Sequence, residues 1–292
     1  MSEKIIIENL NVAYGRNQVL FDINIEIGKG MFGLLGRNGA GKSTLMKTLV
    51  TLLPVKSGKI EICNVPISNR RKIRSMVGYL PQDFNMYPNM TVVEALEYLA
   101  ILSEMEPTEI KGRTKKVLEL VNLWKDRKLK VKALSGGMKR RLGIAQAIVH
   151  DPKVLIVDEP TAGLDPEERI RFRNILANLA EDKIVILSTH IVGDIESTCN
   201  HLAVLNHGHI LFNGEVNDLV EGARGCTYRA NIPKEKLHEY QNRYVLTSQQ
   251  DYGDYVDIKL LSKDKVEEEF VPCEPNIEDG YLNLLYDVGG AK

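Results

Sequence analysis

The hydrophobic and polar positions follow two different periods along the first two hundred residues. Two early segments are β-branched and partly alternating, as in strands with one buried face: KIIIENLNVAYG and VLFDINIEI. Two later segments are continuous apolar runs, which is typical of strands covered on both faces: KVLIVDEP and KIVILSTH. Segments of helical period separate the later strands, so the order of elements predicts an α/β fold with a mostly parallel sheet.

The pattern changes twice along the chain. Residues from about 84 to 150 are mostly helical in period, with an apolar stripe of Val93, Leu96, Leu99 and Ala100, and we expect an inserted helical layer there. Near Asp218 the pattern becomes that of a strand, a helix, a hairpin and a final helix. We therefore expect a main domain over residues 1–220 and a small α+β domain over 221–292.

A glycine-rich loop lies between the apolar strand MFGLLG and the helical segment KSTLMKTLVTLL. It fits the pattern G-x-x-x-x-G-K-[ST], whose backbone N–H groups and helix N-terminus surround a phosphate. Lys42 would reach the β- and γ-phosphates of ATP, and Ser43 would bind Mg²⁺. The predicted nucleotide-binding residues of this loop are Gly36, Asn38, Gly39, Ala40, Gly41, Lys42, Ser43 and Thr44.

An acidic pair ends the buried strand of KVLIVDEP. A phosphate-binding loop needs an acidic partner for its magnesium, and Asp158 is predicted to hold the ion through water. Glu159 is predicted to polarise the attacking water as a general base. The alternative role, a strand-end acid that caps the next segment, is less favoured beside a phosphate loop.

A second glycine-rich segment, LSGGMKRRLG, has no lysine at the phosphate-binding position. Ser135 is a hydroxyl donor, Gly136 and Gly137 permit close backbone approach, and a helix begins near Met138. This arrangement suits an anion. Ser135 is also predicted to cap that helix, and the two roles are compatible.

Five motifs in order, GRNGAGKST, LSGGM, LIVDEP, GLDP and LSTH, resemble those of ATP-binding-cassette (ABC) ATPases over residues 3 to 220. The resemblance implies a P-loop cassette with a RecA-like core, an antiparallel β subdomain and a helical subdomain. It also implies that Ser135, Gly136 and Gly137 contact the γ-phosphate held by a second cassette. Two chains, identical or related, would then form two shared ATP sites.

The resemblance implies roles for four further residues. Tyr14 would stack on adenine, the alternative being a core tyrosine, and Gln82 would contact Mg²⁺ or the water, the alternative being a polar loop residue. Asp165 would link the two sites, and His190 would contact the γ-phosphate. Glu159, His190 and Gln82 are thus the predicted catalytic group. Ser43, Gln82 and Asp158 are the predicted magnesium ligands.

Composition limits the possible partners. The net charge is -1, which disfavours nucleic acid. No apolar run approaches the roughly 18 residues that cross a bilayer, no leader segment is evident, and the four cysteines lie far apart, so we expect a cytoplasmic protein. A pore would be a separate transmembrane permease, and the chain would be peripheral on the inner face of the membrane.

The position of Met138 bears on the direction of transport, because the family's commonest residue there is glutamine. Members with SGGM(K/R)RR resemble subunits of two-part exporters, so we expect an exporter; an importer is the alternative. An ATPase acting on DNA or ribosomes is disfavoured, since only about fifty residues separate Gln82 from the signature. We expect the loop with Phe84, Met86 and Tyr87 to receive the permease.

Overall fold

The computed structural model describes residues 3–161, 163–264 and 266–289, and it comprises two compact units. The N-terminal unit is Met1–Cys199 with Leu205–Ile210, and the C-terminal unit is Asn200–Val204 with Leu211–Lys292. In the described chain the strands are β1 Ile5–Tyr14, β2 Asn17–Ile27, β3 Gly30–Leu35, β4 Ser57–Ile62, β5 Val65–Pro66, β6 Val77–Leu80, β7 Val154–Asp158, β8 Ile184–Thr189, β9 His201–Asn206, β10 His209–Glu215, β11 Thr227–Pro233, β12 Val245–Asp251, β13 Tyr255–Leu261 and β14 Val271–Pro272.

The helices of the described chain are α1 Lys42–Leu49, α2 Arg70–Met76, α3 Val92–Leu102, α4 Pro107–Leu120, α5 Gly136–Ile148, α6 Pro166–Ala180, α7 Val192–Glu196, α8 Val216–Glu221, α9 Leu237–Arg243 and α10 Ile277–Gly289. The short elements α2, α7 and α8 are not predicted by periodicity, because one or two turns carry too few apolar positions to show a period. Among the described residues, none of these helices combines the length and the apolar character needed to cross a lipid bilayer.

A six-stranded sheet with the order β10-β9-β3-β8-β7-β6 confirms the predicted parallel arrangement at its centre. The pairs β3–β8, β8–β7 and β7–β6 are all parallel. Every residue of β7 and β8 is buried, as their continuous apolar runs predict. Their registers pair Leu35 with Thr189 and Asp158 with Ser188, so the loops that follow these strands emerge at one edge of the sheet.

A separate antiparallel sheet has the order β2-β1-β4-β5. Ile5 of β1 lies opposite both Ile27 of β2 and Ile62 of β4, and all three side chains are buried. The alternation of apolar and polar residues in β1 and β2 therefore reflects a sheet that has one face covered. Tyr14 ends β1 at the margin of the sheet, where its side chain is exposed.

Helices α3, α4 and α5 contact one another and form the helical layer. A capping box between Thr91 and Glu94 fixes the start of α3. The fully buried positions of α3 are Val92, Ala95, Leu96 and Ala100, so the predicted stripe is wrong at Val93 and Leu99, which are half-buried. Leu96 and Ala100 are common to the predicted stripe and to the buried face of α3.

The single tryptophan of the chain, Trp124, follows α4 in the helical layer. Its ring lies beneath the Arg127 guanidinium, 4.3 Å from the ring centroid. The Lys115 ammonium lies 5.7 Å from the same centroid. Two cations thus contact a half-buried indole, an arrangement that the negative face of the ring stabilises.

The C-terminal unit contains an antiparallel sheet with the order β12-β13-β11-β14. The core of this unit includes Tyr240 of α9 and Tyr244, which directly follows α9. The ring of Phe270 packs edge-on against both tyrosine rings. The predicted order of strand, helix, hairpin and final helix is confirmed in this part of the chain. The buried Asp279 of α10 pairs with Lys259 of β13 at 2.5 Å.

Candidate active site

The glycine-rich loop has backbone requirements that explain its glycines. Gly41 caps α1 with a left-handed φ of 110°, and a Cβ there would lie 2.8 Å from the Leu20 side chain. A Cβ on Gly36 would lie 2.3 Å from the Leu205 carbonyl oxygen. The buried Lys42 Nζ donates to the carbonyls of Gly36 at 2.7 Å and Arg37 at 3.2 Å. The loop therefore curls around its own lysine at the start of α1.

Glu159 is the point where the predicted catalytic residues meet. Its Oε1 lies 3.2 Å from Lys42 Nζ, and its Oε2 lies 3.2 Å from His190 Nδ1. Gln82 Nε2 donates to Oε2 at 3.4 Å. Residues from three distant segments of the chain thus share the carboxylate of Glu159, a residue that is 7% exposed.

The backbone of Glu159 is left-handed, with a φ of 43°. This conformation is uncommon for a residue with a side chain and is found most often at functional sites. The Glu159 N–H donates to the Ser188 carbonyl at 3.0 Å, which continues the β7–β8 pairing one residue past Asp158. The turn directs the carboxylate of Glu159 away from the strand and toward Lys42.

Asp158 is buried at the end of β7, and its Oδ1 accepts a hydrogen bond from Ser188 Oγ at 2.9 Å. The hydroxyl of Ser43, the carboxylate of Asp158 and the amide oxygen of Gln82 are all hard oxygen donors. Such a set suits Mg²⁺, which prefers one or two carboxylates and keeps several of its waters. The residues present therefore fit the ion that the sequence predicts.

A buried acidic residue that sequence reasoning missed connects two of the motifs. Asp194, 1% exposed, accepts hydrogen bonds from Thr161 Oγ1 at 2.5 Å and from Thr189 Oγ1 at 3.4 Å. Thr189 Oγ1 in turn accepts from the Ile191 N–H at 2.9 Å, directly after His190. This network fixes the turn that carries His190. An acid four residues after a motif histidine was the available signal.

The second glycine-rich segment makes contacts of its own at the start of α5. Ser135 caps α5, and its Oγ accepts from the Met138 N–H at 3.3 Å, as predicted. A Cβ on Gly137 would lie 2.7 Å from Glu168 Oε2, so this glycine makes room for α6. Within residues 3–161, 163–264 and 266–289, no hydrogen bond or ion pair joins Ser135 to the glycine-rich loop.

Asp165 and Tyr14 are the remaining predicted residues. Asp165 caps α6, and its Oδ1 accepts from the Glu168 N–H at 2.8 Å. Tyr14 is 47% exposed, which excludes the core-tyrosine alternative, and its hydroxyl lies 3.5 Å from Thr44 Oγ1 in the glycine-rich loop. An exposed ring beside that loop is available for stacking.

The loop after Gln82 is less open than its apolar residues suggested. Phe84 is half-buried, and a Cβ on Gly143 of α5 would lie 3.2 Å from its ring. Tyr87 is exposed and packs edge-on against Tyr98 of α3, with ring centroids 5.2 Å apart. Phe84 therefore packs within the chain, whereas Tyr87 and Tyr98 are exposed together on the helical layer.

Known proteins are similar to this chain in sequence and in fold. The family model described as "ABC transporter" matches residues 20–162. The Nod factor export ATP-binding protein I of Cupriavidus metallidurans is 37% identical over 221 residues, which are 75% of this chain and 73% of that protein. The chain belongs to the ABC transporter family. It is accordingly an ATP-binding ATPase, the activity that defines the cassettes of this family.

Other ABC transporter proteins extend the comparison. The Nod factor export ATP-binding protein I of Bradyrhizobium diazoefficiens is 32% identical over 285 residues, 93% of either chain, and this match includes the C-terminal unit. The linearmycin resistance ATP-binding protein LnrL of Bacillus subtilis is 35% identical over 223 residues, 75% of this chain and 72% of that protein.

Solved structures of ABC transporter cassettes share the fold. The cbiO1 subunit of Clostridium perfringens, part of an ABC transporter complex, has a TM-score of 0.70 at 28% identity. That match covers 83% of this chain and 96% of the cbiO1 chain. A dimeric bacterial ABC transporter cassette has a TM-score of 0.65 at 25% identity, over 72% of this chain and 98% of that cassette.

Proposed function

We propose that this chain is the ATP-hydrolysing subunit of an exporter whose pore is a separate transmembrane permease, with residues 1–220 as the ATPase domain. The observation that carries the hydrolytic part is the carboxylate of Glu159, which is shared by Lys42, Gln82 and His190 at the edge of the sheet. Similarity to proteins named for Nod factor export and linearmycin resistance supports the direction of transport. Met138 in the signature segment supports it as well.

Each residue of the cluster has a role in the proposed reaction. Glu159 accepts a proton from the attacking water, and the hydrogen bond from Gln82 orients its carboxylate. Lys42 leaves Glu159 to stabilise the charge on the β- and γ-phosphates, and His190 donates a hydrogen bond to the γ-phosphate. Ser43, Asp158 and Gln82 would hold Mg²⁺, which neutralises charge on the phosphate oxygens.

The anion-binding character of the N-terminus of α5 supports a shared site between two cassettes. The N-terminus of α5 and the Ser135 hydroxyl form an anion-binding end, and no hydrogen bond or ion pair in the described residues joins Ser135 to the glycine-rich loop of the same chain. A second copy, or a related cassette, would supply the phosphate for this end. ATP binding would close the pair, and hydrolysis would reopen it and drive alternating access in the permease.

A surface on the N-terminal unit suits the permease. We define the docking face as the exposed Tyr87, Tyr98, Ile101 and Leu102 together with the basic helix α2. A groove of about 870 Å³ lies between α2 and the end of α3, and it is lined by Arg70, Arg71, Lys72, Arg74, Leu102 and Glu104, among others. The apolar side and the basic side fit an amphipathic segment that carries acidic residues.

The catalytic proposal is tested with Glu159→Gln. The amide keeps the size of the side chain but cannot accept the proton, so we expect turnover to fall on the order of 10²–10⁴-fold. ATP binding should persist, and the variant should accumulate as an ATP-bound dimer in size-exclusion chromatography. Glu181→Gln is the control, because Glu181 is exposed at the end of α6. Near-normal steady-state ATPase activity of Glu159→Gln would remove the base from the proposal.

A further inference from the structure

The side chain of Arg140 connects the signature helix α5 to two other segments of the site. Its Nη1 donates to the Gln82 carbonyl at 2.6 Å and to the Pro81 carbonyl at 3.4 Å. Its Nη2 donates to the Glu159 carbonyl at 3.3 Å. The first two acceptors lie in the turn that ends β6, and the third belongs to the residue proposed as the base.

An arginine is well suited to this position. The planar guanidinium fork donates in several fixed directions at once, which the single ammonium of lysine does not. Burial lowers the pKa of Arg140 from its usual value, while the charges of Asp83 and Asp158 oppose that change. The guanidinium therefore gives up part of its hydration and depends on the three carbonyls to replace it.

Arg140 completes the anchoring of a strained residue. The left-handed Glu159 has its N–H bonded to the Ser188 carbonyl, and its own carbonyl accepts from Arg140. The peptide group before Glu159 is thus held by β8, and the peptide group after Glu159 is held by α5. Because the two anchors set the direction of the side chain, a shift of α5 changes the position of the carboxylate.

A cleft lies between the turn after β6 and the start of α5. The cleft has a volume of about 240 Å³ and is lined by Asp83, Asn85, Gly136 and Lys139 among others. Within the described chain, the hydrogen bonds from α5 to Pro81 and Gln82 all come from Arg140. Gln146 makes a separate bond from α5 to the Tyr79 carbonyl, at 2.7 Å, further back along β6.

We propose that Arg140 is a positioning residue which transmits displacement of α5 to the Gln82 turn and to the Glu159 peptide. The carboxylate of Glu159 is then aligned for catalysis only while α5 keeps its hydrogen bonds to both the Gln82 turn and the Glu159 peptide. This inference rests on the proposed role of Glu159 in hydrolysis. It assigns to Arg140 no contact with ATP or with the reacting water.

The test measures ATPase kinetics of Arg140→Met, Arg140→Lys and Gln146→Leu in the full chain. Arg140→Met should lower kcat on the order of 10-fold, the usual effect of losing hydrogen bonds from a charged donor, with KM within about two-fold. Arg140→Lys keeps the charge without the fork and should recover less than about half of kcat. Gln146→Leu should lower the melting temperature but leave kcat within about two-fold, since its bond avoids the turn.

A double-mutant cycle with Gln82→Ala gives the second readout. If Arg140 acts in part through the turn, the double variant should be less impaired than the product of the two single effects, because coupled residues are not additive. Multiplying effects, or a wild-type kcat in Arg140→Met, would overturn the inference. Glu159→Gln is measured in parallel. If Glu159→Gln keeps its ATPase activity, the proposed function is refuted. If Glu159→Gln is inactive but Arg140→Met has the kcat of the wild type, only the role of Arg140 is refuted.

Discussion

At the scale of single residues, motif spacing predicted which side chains meet but not the bonds that hold them. Lys42 and Glu159 were predicted from the glycine-rich loop and the acidic pair, and His190 was predicted from the resemblance to the family. Ser188 and Arg140 were not predicted as partners, since their contacts depend on strand register and on the packing of α5. The left-handed φ of Glu159 has no sequence signal either, because glutamate rarely adopts it.

His150 carries a residue-scale prediction about pH. Burial is the main cause that lowers the pKa of His150 below its usual value, and the nearby charges of Arg113 and Lys183 add to the effect. The unfolded chain therefore binds more protons than the folded chain below about pH 6.5, and stability falls as pH decreases through that value. We expect His150→Gln to reduce the drop in free energy of unfolding between pH 7.5 and 5.5.

Urea denaturation at the two pH values measures this effect. The exposed His238 supplies the control substitution, His238→Gln, which should leave the drop unchanged. An equal drop in wild type and His150→Gln would show that other groups, such as Asp151 in its ion pair with Lys183, account for the acid sensitivity.

At the scale of elements, long periodic segments were predicted and short ones were not. The buried strands β7 and β8 were evident from unbroken apolar runs, and α5 and α6 from their period. The four-residue β6 was missed, although it leads directly to Gln82. Its burial results from pairing with β7, a long-range contact that local composition does not encode.

The N-terminus of α5 carries the element-scale prediction. Ser135→Arg places a bulky cation where the γ-phosphate of a second cassette would lie, so we expect loss of ATP-driven dimerisation. ATP affinity of the single chain should change by less than about two-fold, because Lys42 of that chain holds its own phosphates. Size-exclusion chromatography in the Glu159→Gln background measures both states. The control is Ser248→Arg, because Ser248 of β12 is also exposed.

An ATP-dependent dimer in the Ser135→Arg, Glu159→Gln double variant would contradict the shared site. The same variant distinguishes a capping role from a binding role. Loss of the Ser135 cap alone lowers stability by about 1 kcal/mol and leaves dimerisation intact in the folded protein.

At the scale of the whole molecule, the prediction concerns which surface recognises the permease. The docking face lies on the N-terminal unit, and its exposed Ile101 and Leu102 make it suitable for an apolar contact. We expect the double substitution Ile101→Ser and Leu102→Ser to abolish co-purification of the permease from detergent extracts. The ATPase activity of the isolated subunit should stay within about two-fold of wild type, since both residues lie on α3, apart from the catalytic cluster.

A matched variant on the C-terminal unit provides the comparison. Tyr255 and Val271 are also exposed and apolar, and their double substitution by serine should leave co-purification intact. The opposite pattern, with binding lost only in the C-terminal variant, would place the permease contact on the C-terminal unit. Phe84 is left unchanged in these variants because it packs near Gly143 within the chain.

The position of Trp124 has a spectroscopic consequence. Because it is the only tryptophan, fluorescence excited beyond the tyrosine absorption band arises from the segment after α4. Its two cationic neighbours make the emission sensitive to small local rearrangements. An unfolding curve followed by this emission therefore monitors the helical layer, whereas circular dichroism averages over both units. If the two units unfold together, the two curves should have the same midpoint.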